Sequence, residues 1–209
     1  MPVSAPTLWT PPAHLPMRVA LLLAVFWTPA CAQPPDEAAR PAPYPCEGCE
    51  VVRRPSPDTL GWRLAMASDD EPGARLVLDG RVLQADGRTP APGVVLYLHQ
   101  TDATGVYRRD DGGALALQGW LKTDADGRYR IETVRPGPYP SGTMPAHVHV
   151  YVGEPGRAPY YLNDVVFADD PLVTEAYRAT LLDGPDPGVV SLTRTASGWR
   201  GERDFVLAP

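Results

Sequence analysis

From residue 75 onward, apolar and polar positions alternate in short bursts separated by turn residues, the period-two signature of half-buried strands. Residues 75–83 (RLVLDGRVL) predict a strand, and 85–88 (ADGR) a turn. Residues 93–99 (GVVLYLH) are an apolar run rich in branched side chains, which suits a buried strand. Segments 119–123 and 128–134 flank an Asp-Gly turn at 124–127 and predict a hairpin. Residues 146–152 (AHVHVYV) alternate without a break over a strand's length, and 164–167 and 203–207 add further strands. Only 171–182 suggests a short helix. Short strands at this density predict an all-β fold, an antiparallel β-sandwich with short irregular or helical connections. Neither an internal repeat nor a heptad pattern is present.

Composition agrees with the pattern. The 26 prolines and 19 glycines in 209 residues remove backbone donors and weaken helices, favouring strands joined by turns. The formal net charge is −6 and no run of Lys or Arg exceeds a pair, so nucleic acid is excluded as a partner class. Residues 1–16 hold no charged side chain; Met17-Arg18 and the apolar run 19–27 follow, then Thr28-Pro29-Ala30-Cys31. One positive charge, a short apolar stretch and a small residue describe a secretory signal over residues 1–30, with Met17 a suitable initiator. The run falls short of the roughly 20 apolar residues that span a bilayer. Export to the periplasm or the exterior is the expectation.

Cys31 directly after Ala30 resembles a lipoprotein cleavage site, although Thr28 and Pro29 are unusual there; lipid anchoring at Cys31 and plain cleavage near Ala30 or Ala32 both stand. Residues 31–74 read as a Pro-rich linker holding a Cys pair, and 75–209 as the sandwich domain. If Cys31 carries lipid, Cys46 and Cys49 form the natural disulfide of an exported chain. A redox or metal Cys-x-x-Cys is the sharper alternative, but no second such motif completes a four-thiolate site.

His147 and His149 stand two apart in the alternating strand, so both imidazoles project from one face and can address one atom. Taken alone, that spacing suits two metal ligands or two surface histidines. The surrounding text decides more. The segments TDATGVYRR (101–109), TDADGRYRIETVRPGPYP (123–140) and PAHVHVYV (145–152), in that order, closely resemble the intradiol ring-cleavage dioxygenases, the family of catechol and protocatechuate dioxygenases. The resemblance runs from about residue 75 to 170.

The resemblance implies that Tyr107 and Tyr139 match the family's two tyrosinate ligands and His147 and His149 its two histidine ligands, around one non-haem iron(III). Phenolate oxygen is a hard anionic donor suited to iron(III), and two phenolates leave one positive charge on the centre. It further implies a catechol bound as a chelating dianion, with Tyr139 displaced and acting as a base. Dioxygen then enters between the two hydroxyl-bearing carbons to give a muconate-type diacid. Tyr107 and Tyr139 are accordingly also the candidate catalytic residues.

Two positions depart from the family's pattern. Met144 stands where many members carry an arginine, and Asp164 where many carry a glutamine, which makes the surroundings less welcoming to an anionic substrate. Arg108 and Arg109 are candidates for the missing charge, or simply surface residues. Asp124 and Asp126 lack a downstream Glu and read as a turn rather than a calcium loop. His99 reads as a core or supporting residue. Against the dioxygenase stand a metal-free binding module, since TDADGRYRIETV also resembles transthyretin-like and carboxypeptidase-regulatory-like sandwiches, and a sandwich with a colourless structural metal.

Overall fold

The computed structural model describes residues 42–43, 46–55, 57–181 and 188–209 besides Met1. The expected signal over 1–30 and the expected lipidation of Cys31 lie outside the described residues. All described strands belong to the second of two units, Asp36–Pro209. Among the described residues no helix is long and apolar enough to cross a membrane.

The second unit is almost entirely β. Its strands are β1 (Arg63–Ala65), β2 (Arg75–Leu83), β3 (Val95–Gln100), β4 (Gln118–Lys122), β5 (Arg128–Val134) and β6 (His147–Gly153). They continue with β7 (Tyr160–Tyr161), β8 (Val165–Phe167), β9 (Val189–Val190), β10 (Leu192–Thr195), β11 (Gly198–Glu202) and β12 (Phe205–Val206). One α-helical turn, α1 (Glu175–Arg178), lies within the stretch expected to hold a helix, with Thr174 as its N-cap. The first sheet runs β1-β5-β2-β11-β10, with β12 also on β2; the second runs β4-β3-β6-β8-β9, with β7 on β6. Inward residues from both sheets, among them Leu76, Leu78 and Ile131 of the first and Leu96, Leu98, Val148 and Val150 of the second, form one core. That shared core makes the unit a sandwich.

The structure adds detail to this β-sandwich in two places. The sheets are mixed rather than purely antiparallel. Strand β11 runs parallel to β2, β1 to β5 and β9 to β8, because these late or early strands return from the far end of the molecule instead of through a hairpin. The fold also starts before residue 75. Arg63–Ala65 pairs with β5, and the 3-10 turn Cys49–Arg53 places Val52 against Val95 and Tyr97 on the outer face of the second sheet. The Trp120 indole N–H donates to the Val51 carbonyl at 2.9 Å, and Cys46 and Cys49 are disulfide-bonded ahead of this turn. The stretch read as linker is therefore partly structural.

The outer face of the second sheet positions the site. In β6 the valines 148, 150 and 152 point into the core, so the alternation directs His147, His149 and Tyr151 outward. Register sets His99 of β3 directly across from His149, and Tyr97 across from Tyr151. Histidines and tyrosines thus share one surface, which the connections after β3 and β5 cover.

Candidate metal centre

Two loops cross that surface, and each delivers a tyrosine. After β3, Asp102 organises the first loop. Its carboxylate accepts from the Thr104 N–H at 2.8 Å, the Thr104 hydroxyl at 2.6 Å and the Val106 N–H at 3.2 Å. After β5, the stretch RPGPYP forms the second loop, tied to the first by the Gly137 N–H donating to the Asp102 carbonyl at 2.9 Å. The two backbones approach so closely that only glycine fits. A Cβ on Gly105 (φ +83°) would meet the Pro138 carbonyl oxygen at 1.9 Å, and one on Gly137 would meet the Ala103 carbonyl oxygen at 2.6 Å. The glycines of TDATGVY and RPGPY let Tyr107 and Tyr139 meet.

All four residues singled out in the sequence converge. The Tyr107 hydroxyl lies 2.8 Å from His149 Nε2 and 3.5 Å from His147 Nε2, and the two Nε2 atoms are 3.1 Å apart. Tyr139 donates its hydroxyl hydrogen to the Tyr107 oxygen at 3.2 Å. Donors about 2.1 Å from one ion and at right angles to each other are separated by about 3.0 Å, the spacing seen here.

The supporting contacts fix which nitrogen carries the proton. His147 Nδ1 faces the Pro145 carbonyl at 2.7 Å, and a carbonyl only accepts, so Nδ1 holds the hydrogen. His149 Nδ1 faces the Asp164 carboxylate at 2.9 Å, with the same consequence. Both Nε2 lone pairs then point into one space at 3.1 Å. The single Tyr107 hydrogen satisfies one of them, and such a pair of lone pairs suits a cation. Donation of the outer N–H to a carbonyl or carboxylate is the usual support of a metal-bound histidine.

Burial favours the uncharged forms of His147 and Tyr107. Burial, and then the neighbouring His149, pushes His147 below the ordinary histidine range, opposed by its bond to Pro145. Burial, followed by the bond from Tyr139, drives the Tyr107 hydroxyl well above the ordinary tyrosine value. Its proton leaves only against a strong Lewis acid, so metal uptake would release protons. The His99 ring lies tilted against the His149 ring, with centroids 4.4 Å apart; burial, then His149, lowers its pKa to about 3. It supports the site from beneath rather than joining it.

Other candidates lie elsewhere. Arg108 is engaged with Asp102 and Glu71, and Arg109 donates to the Gly113 carbonyl, so both are surface residues. Asp124 caps the β4–β5 turn by accepting from the Asp126 and Arg128 N–H groups. Asp164, expected only near the substrate, also holds His149, and His147, His149 and Asp164 form a group of metal-competent donors within 4.8 Å. Its role was hidden because it depends on β8 pairing with β6, a non-local event. Beside the cluster opens a cleft of about 620 Å³, lined by His149 and Asp164 of the cluster together with Met144, Tyr151, Tyr161 and Tyr177.

A protein-family model described as Dioxygenase matches residues 57–182, more than half of the chain. The chain belongs to the intradiol ring-cleavage dioxygenase family. Catechol 1,2-dioxygenase of Acinetobacter baylyi is 26% identical over 186 residues, covering 68% of this chain and 60% of the relative. The protocatechuate 3,4-dioxygenase beta chain of Burkholderia cepacia is 31% identical over 121 residues, 52% of this chain and 51% of the relative. The chain thus spans 60% and 51% of these two relatives. Among solved structures, the dioxygenase domain of a dioxygenase–carbohydrate-binding fusion from Streptomyces sp. SirexAA-E superposes with a TM-score of 0.59 at 30% identity, covering 80% of this chain and 97% of that one. Non-haem iron and oxygenase chemistry are properties of this dioxygenase family.

Proposed function

We propose that this intradiol-family chain is an exported iron(III) dioxygenase that cleaves catechol-type diols between their hydroxyl-bearing carbons, giving muconate-type diacids. Tyr107, Tyr139, His147 and His149 hold the iron. The observation that carries the reading is the convergence of the four donors, with both histidines held as Nδ1–H so that their Nε2 lone pairs share one space. Bound iron(III) would supply a Lewis acid that draws electron density from a chelated diolate and opens the ring to dioxygen.

The chain's own groups divide the remaining work. Asp164 and the Pro145 carbonyl keep each histidine's outer hydrogen in place and fix the ring planes. Tyr107 contacts both histidine nitrogens, whereas the Tyr139 hydroxyl bonds to the Tyr107 oxygen and its ring packs edge-on against His147, which would make Tyr139 the most easily released of the four donors. Its phenolate oxygen would then be a base for a substrate hydroxyl proton. The Cys46–Cys49 disulfide supports an oxidising compartment and hence export.

The test is product analysis. The iron-loaded chain with catechol and labelled dioxygen should give a ring-opened diacid that carries both oxygen atoms. Quinone alone, or an aldehyde from cleavage beside the diol, would overturn the proposal. Tyr139→Phe should lower turnover by roughly a hundredfold or more, the scale of losing a general base.

A further inference from the structure

We propose that the cleft takes an uncharged catechol extended by a second aromatic ring and turns away catechols that carry a ring carboxylate. This rests on the dioxygenase reading and adds a substrate class to it.

The first argument is size. At about 620 Å³ the cleft falls in the range, roughly 300–1,000 Å³, that encloses ligands much larger than one benzene ring. A catechol held beside His149 would leave most of that volume unfilled. The second argument is the lining. Tyr151 projects from β6, Tyr161 from β7 and Tyr177 from α1, so three aromatic rings on three separate elements border the space. Aromatic walls prefer an aromatic guest by stacking or edge contact, worth about 0.5–1.5 kcal/mol per pair beyond burial. Met144 adds a soft, polarisable side chain that adapts to a ring. The hydroxyls of Tyr151 and Tyr177 take no hydrogen-bond partner among the described residues, so they can serve phenolic or ether oxygens on the outer ring.

The third argument is charge. No Lys or Arg lines the cleft among the described residues. Arg108 is engaged with Asp102 and Glu71, and Arg135 with both carboxylate oxygens of Asp169. Asp164 faces the cleft from beside His149. A ring carboxylate placed there meets a like charge with no Lys or Arg of the lining to balance it, a repulsive device that selects against anionic catechols.

Anaerobic titration of the iron-loaded full chain, by calorimetry and by the shift of its visible band, tests this with three probes: catechol, protocatechuate and phenylcatechol. Phenylcatechol should bind at least about tenfold more tightly than catechol, and protocatechuate at least about tenfold more weakly. Met144→Arg should recover about tenfold for protocatechuate, and Tyr177→Ala should weaken phenylcatechol by about fivefold more than catechol. Protocatechuate binding as well as catechol, or phenylcatechol binding no better than catechol, overturns the substrate class alone. Iron retained with no response to any diol overturns the dioxygenase reading beneath it.

Discussion

Asp164 does for His149 what the Pro145 carbonyl does for His147, but with a full charge. A carboxylate on the outer N–H raises ligand basicity and orients the ring, and loss of such a partner typically lowers metal affinity by about 10–100-fold. Asp164→Asn should therefore weaken iron binding on that scale in a chelator competition, and an unchanged affinity would show that Asp164 serves only the cleft. A second residue-scale prediction concerns Asp86. The Thr89 hydroxyl, then the Thr89 and Arg88 N–H groups, hold its carboxyl down from 3.8 to about 2. A lowered carboxylate value in the folded state means stability that is present above pH 4 and lost as pH falls toward 2. Asp86→Asn should flatten the acid dependence of unfolding in that window, as followed by denaturant titration.

At the scale of elements, the strands that carry the site were the most legible. Strands β2 and β5 have the boundaries expected from their alternation, and β6 was visible because valine and histidine or tyrosine alternate along it. Strands β10 and β11 escaped: most of their residues are at least partly exposed and Gly198 and Gly201 interrupt them, so no inward stripe marks them. Strand β1, with three residues, is too short to show a period. The close crossing of the two tyrosine loops was also beyond reach, since it depends on what a Cβ would strike. Gly105→Ala should accordingly cost about 1–3 kcal/mol of stability and impair iron loading, because φ +83° and the Pro138 carbonyl both exclude a side chain. On the opposite face of β3, Leu98 is fully buried; Leu98→Ala should destabilise by about 2–5 kcal/mol yet leave the folded protein's iron spectrum unchanged. Parallel losses in both variants would contradict the division between core face and site face.

For the whole molecule, the four-donor cluster ties together strand β6 and two loops that begin 34 residues apart on different sheets (after Gln100 and Val134). A metal bound there stabilises the folded state alone. Iron at a hundredfold excess over its dissociation constant should add about 2.7 kcal/mol, removed by chelation. The ordered motifs made the donor set legible in sequence; the mixed sheets and the role of Asp164 were not, because both arise from pairings between strands distant in the chain.

The visible absorption spectrum of the purified, iron-loaded chain, with iron measured on the same sample, tests the central claim most directly. One iron per chain and a broad visible tyrosinate-to-iron(III) band, lost or strongly weakened in Tyr107→Phe, is the predicted result. A colourless protein that retains no iron after ferric reconstitution would contradict it.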